Sequence, residues 1–546
     1  MADANAGRRT IGTFDYVVIG AGSAGCLVAN RLSRDPRRKV LVLEAGGRDD
    51  WIWFHIPVGY LFAIGNPRAD WMYKTEPQPG LGGRALPFAR GKVVGGCSSI
   101  NAMVYMRGQA ADYDGWRQRG LPGWGWDEVL PYFLKHEDHC SPGPDGLHKA
   151  GGEWRVENPR VRWAILDAIR DAAEAAGIAK IADFNTGDNE GSSYFQVNQR
   201  RGRRLSSFRA FLRPVLERPN LRGEVDVLVE RVVVEDGRAR AVEFSHGGEK
   251  LRAEVTGEVV LSAGSIGSPA LLERSGIGDG GRLAALGIDT VLDAPGVGEN
   301  LQDHLQIRPV YKVEGVRTLN SDYAKLWRRP LMAMQYAALR SGPLTMAPSQ
   351  VGAFAKSSDR YATANLQYHF QPLSLDSWGA GLHPFDAFTA SVCNLRPTSR
   401  GSTHLRSPHA EDAPAISPNY LATEEDRQVA VEAMRLTRRI VAQQPLARFR
   451  PQEHLPGPSA ETDEALLEAA ATYSTTIFHP VGTARMGGAD DAGAVLDERL
   501  RVRGIAGLRV IDASAMPAIT SGNTANPTMM IAEKGVAMMI EDARAA

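Results

Sequence analysis

The chain opens on two short apolar runs separated by a stretch of helical spacing. Asp15–Gly20 is β-branched and continuous, which suits a strand buried on both faces. Ser23–Leu32 carries its apolar residues at the spacing of a helix that packs on that strand, and Lys39–Leu43 repeats the strand pattern. This is a βαβ unit. Two strands alone leave a sheet largely uncovered, so later segments must return to it. Val255–Leu261 and Leu508–Ile511 are short, apolar and followed by Gly, Ser or Asp, and they are the candidates. Strands drawn from such distant places imply that a second domain is inserted between them.

The inserted part is expected over 161–221 and 304–455, leaving 1–160, 222–303 and 456–546 for the dinucleotide-binding domain. Ala364–Phe370 and Phe388–Leu395 alternate with a period of two, the pattern of an antiparallel sheet with one face toward solvent or a pocket. Glu424–Gln444 has helical spacing with charges outside, and Ser141–Lys149 reads as a loop. The fold class is therefore α/β, or α+β overall: a Rossmann-like domain with an inserted substrate domain built on an antiparallel sheet.

Composition narrows the class. A chain of 546 residues exceeds one simple core. Lys+Arg and Asp+Glu both total 63, so no nucleic-acid partner or acidic surface is indicated. Cys26, Cys97, Cys140 and Cys393 lie far apart with no Cys-x-x-Cys pair, which speaks against a zinc ribbon or disulfide framework, and no metal set is expected. Met1–Thr13 is small and polar, with Arg8-Arg9 but no apolar signal core. No run approaches eighteen apolar residues, so no transmembrane segment is expected. The expected location is cytoplasmic, free or peripheral to the inner membrane.

Chemistry sits at the two ends. Gly20-x-Gly22-x-x-Gly25 follows a strand and opens a helix, and Glu44 ends the next strand. Such a turn is weak evidence by itself. In this context Gly20 allows the tight turn, Gly22 lets backbone approach a pyrophosphate, Gly25 lets helix and strand pack, and Glu44 accepts from a ribose diol. A second glycine-rich stretch, Gly91–Ala102, could lay main chain against a flat ligand, although a structural loop is its first reading; Cys97 reads as a small packed residue. His479 stands between Phe478 and Pro480. Proline biases it toward extended backbone, and an imidazole suits general-base work. His304 reads as structural. Asp512 follows a strand where a cofactor crevice is expected. Pro527–Lys534, which includes Thr528, reads as a helix opening with proline in its first turn and its N-terminus toward a ligand.

Taken together these segments resemble the glucose–methanol–choline (GMC) oxidoreductases over nearly the full length. They are GAGSAG with Glu44, Gly91–Gly108, Gly264–Gly278, Pro295–His304, Phe478–Gly487, Leu508–Pro517 and Ser521–Lys534. Bacterial choline dehydrogenase-like and primary-alcohol dehydrogenase members look most similar. The resemblance implies FAD rather than NAD. It places Gly20, Gly22, Gly25 and Glu44 on the ADP half and Val229 at the adenine. Val94, Gly96, Ser98, Asn101 and Ala102 fall on the flavin-contacting loop, with Asp512 at the pyrophosphate–ribityl region and Thr528 also toward the cofactor. It makes His479 the catalytic base. Ile100 stands where some members carry a histidine bonded to FAD, so the cofactor is expected to be non-covalent. The family's usual partner of the base falls on Ala525, and Asn526 is the expected substitute.

The activity implied is oxidation of a primary alcohol to an aldehyde, with hydride passing to flavin N5 and oxygen or a quinone-like carrier as final acceptor. A neutral alcohol is favoured, since no acidic constellation awaits a cation, with Phe478, Trp71, Tyr73, Phe370 and Met346 as candidate apolar wall. A hydroxynitrile-lyase-like enzyme, a non-catalytic flavoprotein and an NAD-dependent dehydrogenase are the alternatives.

Overall fold

A computed structural model describes residues 8–376 and 381–545. The first strand, β1 (Arg9–Ile19), begins earlier than its apolar run, because Arg8 and Arg9 pair with Glu230 and Glu249 beside it. Then come helix α1 (Ser23–Leu32) and strand β2 (Val40–Leu43). Val17 and Val18 of β1 are fully buried, each contributing about 2 kcal/mol by burial.

β1 runs parallel to β2 on one side and to Glu249–Leu261 on the other. Leu221–Glu224 adds outside β2, and Leu508–Val510 pairs parallel to the end of Glu249–Leu261. Both expected returning strands are thus in the sheet, bounded a little differently. Val227–Glu235 and Arg238–His246 complete it in antiparallel fashion. The C-terminal helix, Ala525–Ala545, packs on α1, and Arg31 Nη2 lies 2.6 Å from Glu533 Oε1 with both side chains buried. The two ends of the chain therefore meet beside one crevice.

The second sheet is antiparallel. Its order is Gln452–Leu455, Val310–Lys312, Ala387–Asn394, Leu366–Gln371, Val351–Ala355, Gly191–Tyr194. Leu305–Ile307 bridges Ala387–Asn394 and Ser474–Thr476. Ser474–Thr476 thus joins this sheet although it follows 455. The helix Glu424–Val441 covers one face of the sheet; Tyr368 and Phe370 are buried in the apolar cluster it shares. The opposite face, with His369 and Gln371, looks into the crevice. The central strand Leu366–Gln371 is buried on both faces.

Candidate active site

A cavity of about 300 Å³ runs from the turn after β1 to the edge of the second sheet, a size typical of small-molecule sites. Gly20, Gly22, Glu44, Val229, Asp512, Gly96, Asn101, Ala102, Thr528 and His479 all border it. Gly25, Val94, Ser98 and Asn526 do not border it.

The glycines of the first turn divide by cause. Gly20 has φ +97°, and a Cβ there would lie 2.5 Å from Ser262 O. A Cβ on Gly25 would lie 1.8 Å from Gly20 O. Packing alone demands both. At Gly22 a Cβ would come no closer than 3.8 Å to the protein, so what needs that space is a ligand. No side chain caps α1, which leaves its N-terminal amides for an anion. Glu44 accepts from Ala21 N at 2.7 Å and Gly46 N at 2.8 Å, one bond per oxygen. Acceptor capacity remains for a diol. Burial raises its pKa to about 7 against those two bonds, and donation from a diol would favour its charged form. These donors and spaces fit a dinucleotide.

Asp512 is more fully engaged. One oxygen accepts from Gly264 N and Ser268 Oγ, the other from Ser514 N and Oγ. It ties the last strand to the helix Gly264–Arg274 at the cavity floor. In the second glycine stretch Gly96 lies against the first turn: a Cβ there would meet Gly22 Cα at 2.8 Å. Ser98 works behind the cavity, donating to Gly95 O at 2.6 Å and accepting from Ser207 N at 2.8 Å. Val94 N donates to Gly47 O from beneath the loop. Asn101 accepts from Met103 N and from Arg204 Nη1. Ile100 is buried and aliphatic, with no atom able to bond covalently to a flavin.

His479 is thrown into the cavity by its neighbours. Phe478 has φ +66°, a conformation that costs a non-glycine residue about 1–3 kcal/mol. Its carbonyl accepts from Arg90 Nη2 at 2.6 Å, and His479 N donates to Asp303 Oδ1 at 2.6 Å. Asp303 Oδ2 in turn accepts from Thr476 Oγ1 and Tyr420 OH, both at 2.5 Å. Ser265 Oγ donates to Pro480 O at 2.6 Å. The strained turn is held by three direct hydrogen bonds, to Arg90, Asp303 and Ser265.

The ring's protons follow from its partners. His304 Nε2 lies 3.0 Å from Leu395 O, which can only accept, so Nε2 carries hydrogen. Burial lowers the pKa of His304 to about 4, so it is neutral and its Nδ1 is a lone pair. His479 Nδ1, 3.0 Å away, must then donate to it. That leaves His479 Nε2 as an acceptor, 3.0 Å from Asn523 Nδ2. Burial first, then His304, holds the pKa of His479 well below the ordinary imidazole range.

The asparagine that meets His479 Nε2 is thus Asn523, two residues before Ala525; Asn526, the expected partner, makes its bonds elsewhere. The C-terminal helix starts at Ala525, and its first turn carries Asn526 inward. There it accepts from Trp154 Nε1 at 2.8 Å and donates to Met106 O at 3.2 Å. Pro527 does fall in the first turn, and Thr524, Ala525 and Thr528 border the cavity; Thr528 Oγ1 donates back to Thr524 O at 2.7 Å. Asn523 lies in the segment Ser521–Lys534 and His304 closes the segment Pro295–His304, but nothing local marks their contacts with His479.

Trp71, Tyr73 and Phe478 border the cavity; Phe370 and Met346 sit in the second apolar core instead. For Phe370 the reason is strand parity, which gives the cavity His369 and Gln371. Ser349 Oγ bonds His369 Nδ1 at 3.2 Å, while His369 Nε2 is buried with no protein partner. Away from the cavity, His139, His148 and Asp183 bring ligand atoms within 4.8 Å of one another. The two rings are stacked at 4.0 Å and 22°. Their lone pairs lie in nearly parallel planes and do not converge on an ion. His148 instead bridges Glu137 and Asp183 at 3.0 and 2.8 Å, which raises its pKa.

Two GMC oxidoreductase family models match the chain, the N-terminal one over residues 14–306 and the C-terminal one over 397–532. The chain belongs to that family. It is 37% identical to an alcohol dehydrogenase [acceptor] of Pseudomonas putida, across 96% of both chains. It is 39% identical to the mitochondrial choline dehydrogenase of Homo sapiens, across 97% of this chain and 90% of that one. Among solved structures, pyridoxine 4-oxidase from Mesorbium loti superposes with a TM-score of 0.87 at 32% identity, covering 96% of this chain and 99% of that chain. A formate oxidase variant of Aspergillus oryzae gives 0.91 at 25% identity, covering 99% and 100%. The protein is an FAD-dependent oxidoreductase acting on CH–OH groups. Among the described residues no helix is long and apolar enough to cross a membrane.

Proposed function

We propose that the protein oxidises a primary alcohol to the aldehyde, with His479 as the base. The observation that carries this is the His479 Nε2 lone pair, fixed as an acceptor by the bond from Nδ1 to His304 and met on the cavity side by the Asn523 amide, whose place a substrate hydroxyl would take. Bound FAD would supply the acceptor for the hydride that leaves the substrate carbon, at N5. His479 Nε2 accepts the hydroxyl proton, since carbonyl character at carbon requires alkoxide character at oxygen. Asn523 Nδ2 can donate to that oxygen as charge grows on it. The imidazolium so formed keeps its Nδ1–H bond to a neutral acceptor, His304.

The cavity wall nearest His479 is polar and carries one cation, Arg90, whose charge acts on the ring and disfavours a cationic substrate. Gln306, Gln371, Ser349 and Asn523 border it, with Trp71 and Tyr73 stacked 5.6 Å apart. This favours a neutral alcohol. The non-catalytic reading drew its motive from Ala525, and Asn523 removes that motive. The contacts of Gly22, Glu44 and Ile100 support FAD held without a covalent bond.

The test is the visible spectrum of the anaerobic holoprotein before and after adding a panel of primary alcohols, with the product identified. Bleaching with aldehyde formation supports the proposal. A flavin that stays oxidised with every alcohol while a cyanohydrin is cleaved supports the lyase reading instead. Readmitting air separates turnover with oxygen from turnover that needs another carrier.

A further inference from the structure

Exposed apolar side chains concentrate on one segment. Leu326, Trp327, Leu331, Met334 and Leu339 are 71%, 61%, 48%, 56% and 68% exposed. They belong to the helix Arg328–Leu339 and the turn leading into it. This helix is held to the protein through Met332 and Tyr336, its buried residues, spaced i and i+4. Trp327, Leu331 and Met334 are spaced by four and three, so they form a second stripe. At about 100° per residue that stripe faces away from Met332 and Tyr336.

Cations flank the helix at both ends. Lys325, Arg328, Arg329 and Arg340 lie on or beside the helix, and no Asp or Glu occurs between Asp322 and Asp359. Asp322 itself is buried against Arg317 and Arg328. A second exposed apolar patch, Ile52, Leu61 and Phe62, belongs to the 52–63 segment. Its Pro57–Gly59 turn packs on Pro343–Thr345, which directly follows the helix. The chain then reaches Pro348 and Ser349 in the cavity wall.

We infer that this face docks on a lipid bilayer bearing anionic headgroups, with the 328–339 helix lying in the interface. Trp, Leu and Met facing outward between cations is the pattern of helices that lie in a headgroup layer. A second copy of the chain fits less well. A two-fold contact sets a patch on itself, here Lys325 and Arg329 against their own copies. Docking would bring the wall at Pro348 and Ser349 close to the membrane surface.

The experiment is flotation of the holoenzyme with vesicles of phosphatidylcholine alone or mixed with phosphatidylglycerol, at low and high salt. Binding is expected only to the mixed vesicles and weaker at high salt. Leu331→Ser with Met334→Ser should abolish it. Lys325→Gln with Arg329→Gln should weaken it about fivefold per cation removed. Reduction of bound flavin by a water-soluble alcohol should stay unchanged in both variants, which shows that they fold. The inference is overturned if the native enzyme does not float with the mixed vesicles, or if the apolar double variant floats as well as the parent. It is equally overturned if that variant instead converts a stable oligomer to monomer on size exclusion, which would make this face an interface between copies.

Discussion

His304 and His479, 175 residues apart in the chain, meet through their Nδ1 atoms at 3.0 Å. One of the two must donate, and Leu395 O decides which, by taking the only hydrogen of His304. The tautomer of His479 is therefore set from behind. Replacing His304 with phenylalanine removes the acceptor and frees His479 to place its hydrogen on Nε2. The rate of flavin reduction by alcohol should fall about 10- to 100-fold, with FAD content unchanged. Stopped-flow reduction and the absorbance ratio of bound flavin to protein check this.

The two asparagines should separate cleanly. Asn523→Ala removes a donor to the reacting oxygen and should slow flavin reduction about 10²–10³-fold with little change in melting temperature. Asn526→Ala leaves Trp154 Nε1 and Met106 O unpaired in the interior, which costs about 1–3 kcal/mol for each. Its primary effect should be on thermal stability. The reverse pattern would return the partner role to Asn526.

Glycine roles can be tested by adding one methyl group. Gly22→Ala clears all protein atoms by 3.8 Å, so the fold should stand while FAD is lost. Gly25→Ala would drive a Cβ to 1.8 Å from Gly20 O and should prevent folding. Circular dichroism together with flavin content distinguishes the two. FAD released from the parent protein by acid precipitation should appear wholly in the supernatant, as Ile100 offers no bond to it.

Burial sets the pH behaviour. A base works unprotonated, and His479 titrates well below the ordinary imidazole value of about 6.5. The rate of reduction should therefore be flat through neutrality and fall only in acid. Stability should move differently. His304 at about 4 and His369 at about 3 are neutral when folded but take up protons near 6.5 when unfolded. Protonation thus favours the unfolded chain, and the melting temperature should drop as pH falls from about 6.5 toward 4. Glu44, with a folded pKa of about 7, opposes this over the same window, so the parent is compared with His369→Phe, whose melting temperature should fall less in acid; an equal fall would contradict the buried neutral ring.

What could be read along the chain followed the range of the interaction. β1, α1 and β2 are declared by local periodicity, and α1 spans Ser23–Leu32 as its spacing indicates. Gly22 was legible because strand, turn and helix are contiguous. Phe370 went to the wrong face because a strand's pattern gives two faces without saying which is the pocket. Asn526 is expected from its place next to Ala525, where the resemblance puts the partner, but the helix starts at Ala525. Its first turn rotates Asn526 into the core and leaves Asn523 beside His479. The contact between His304 and His479 depends on how two sheets meet, and no local pattern encodes it.

The most direct measurement is anaerobic stopped-flow reduction of the flavin by a primary alcohol in the parent protein and in His479→Ala, both loaded with FAD. The account predicts bleaching in the parent and a rate about 10²–10⁴-fold lower in the variant. A variant reduced as fast as the parent would show that His479 is not the base.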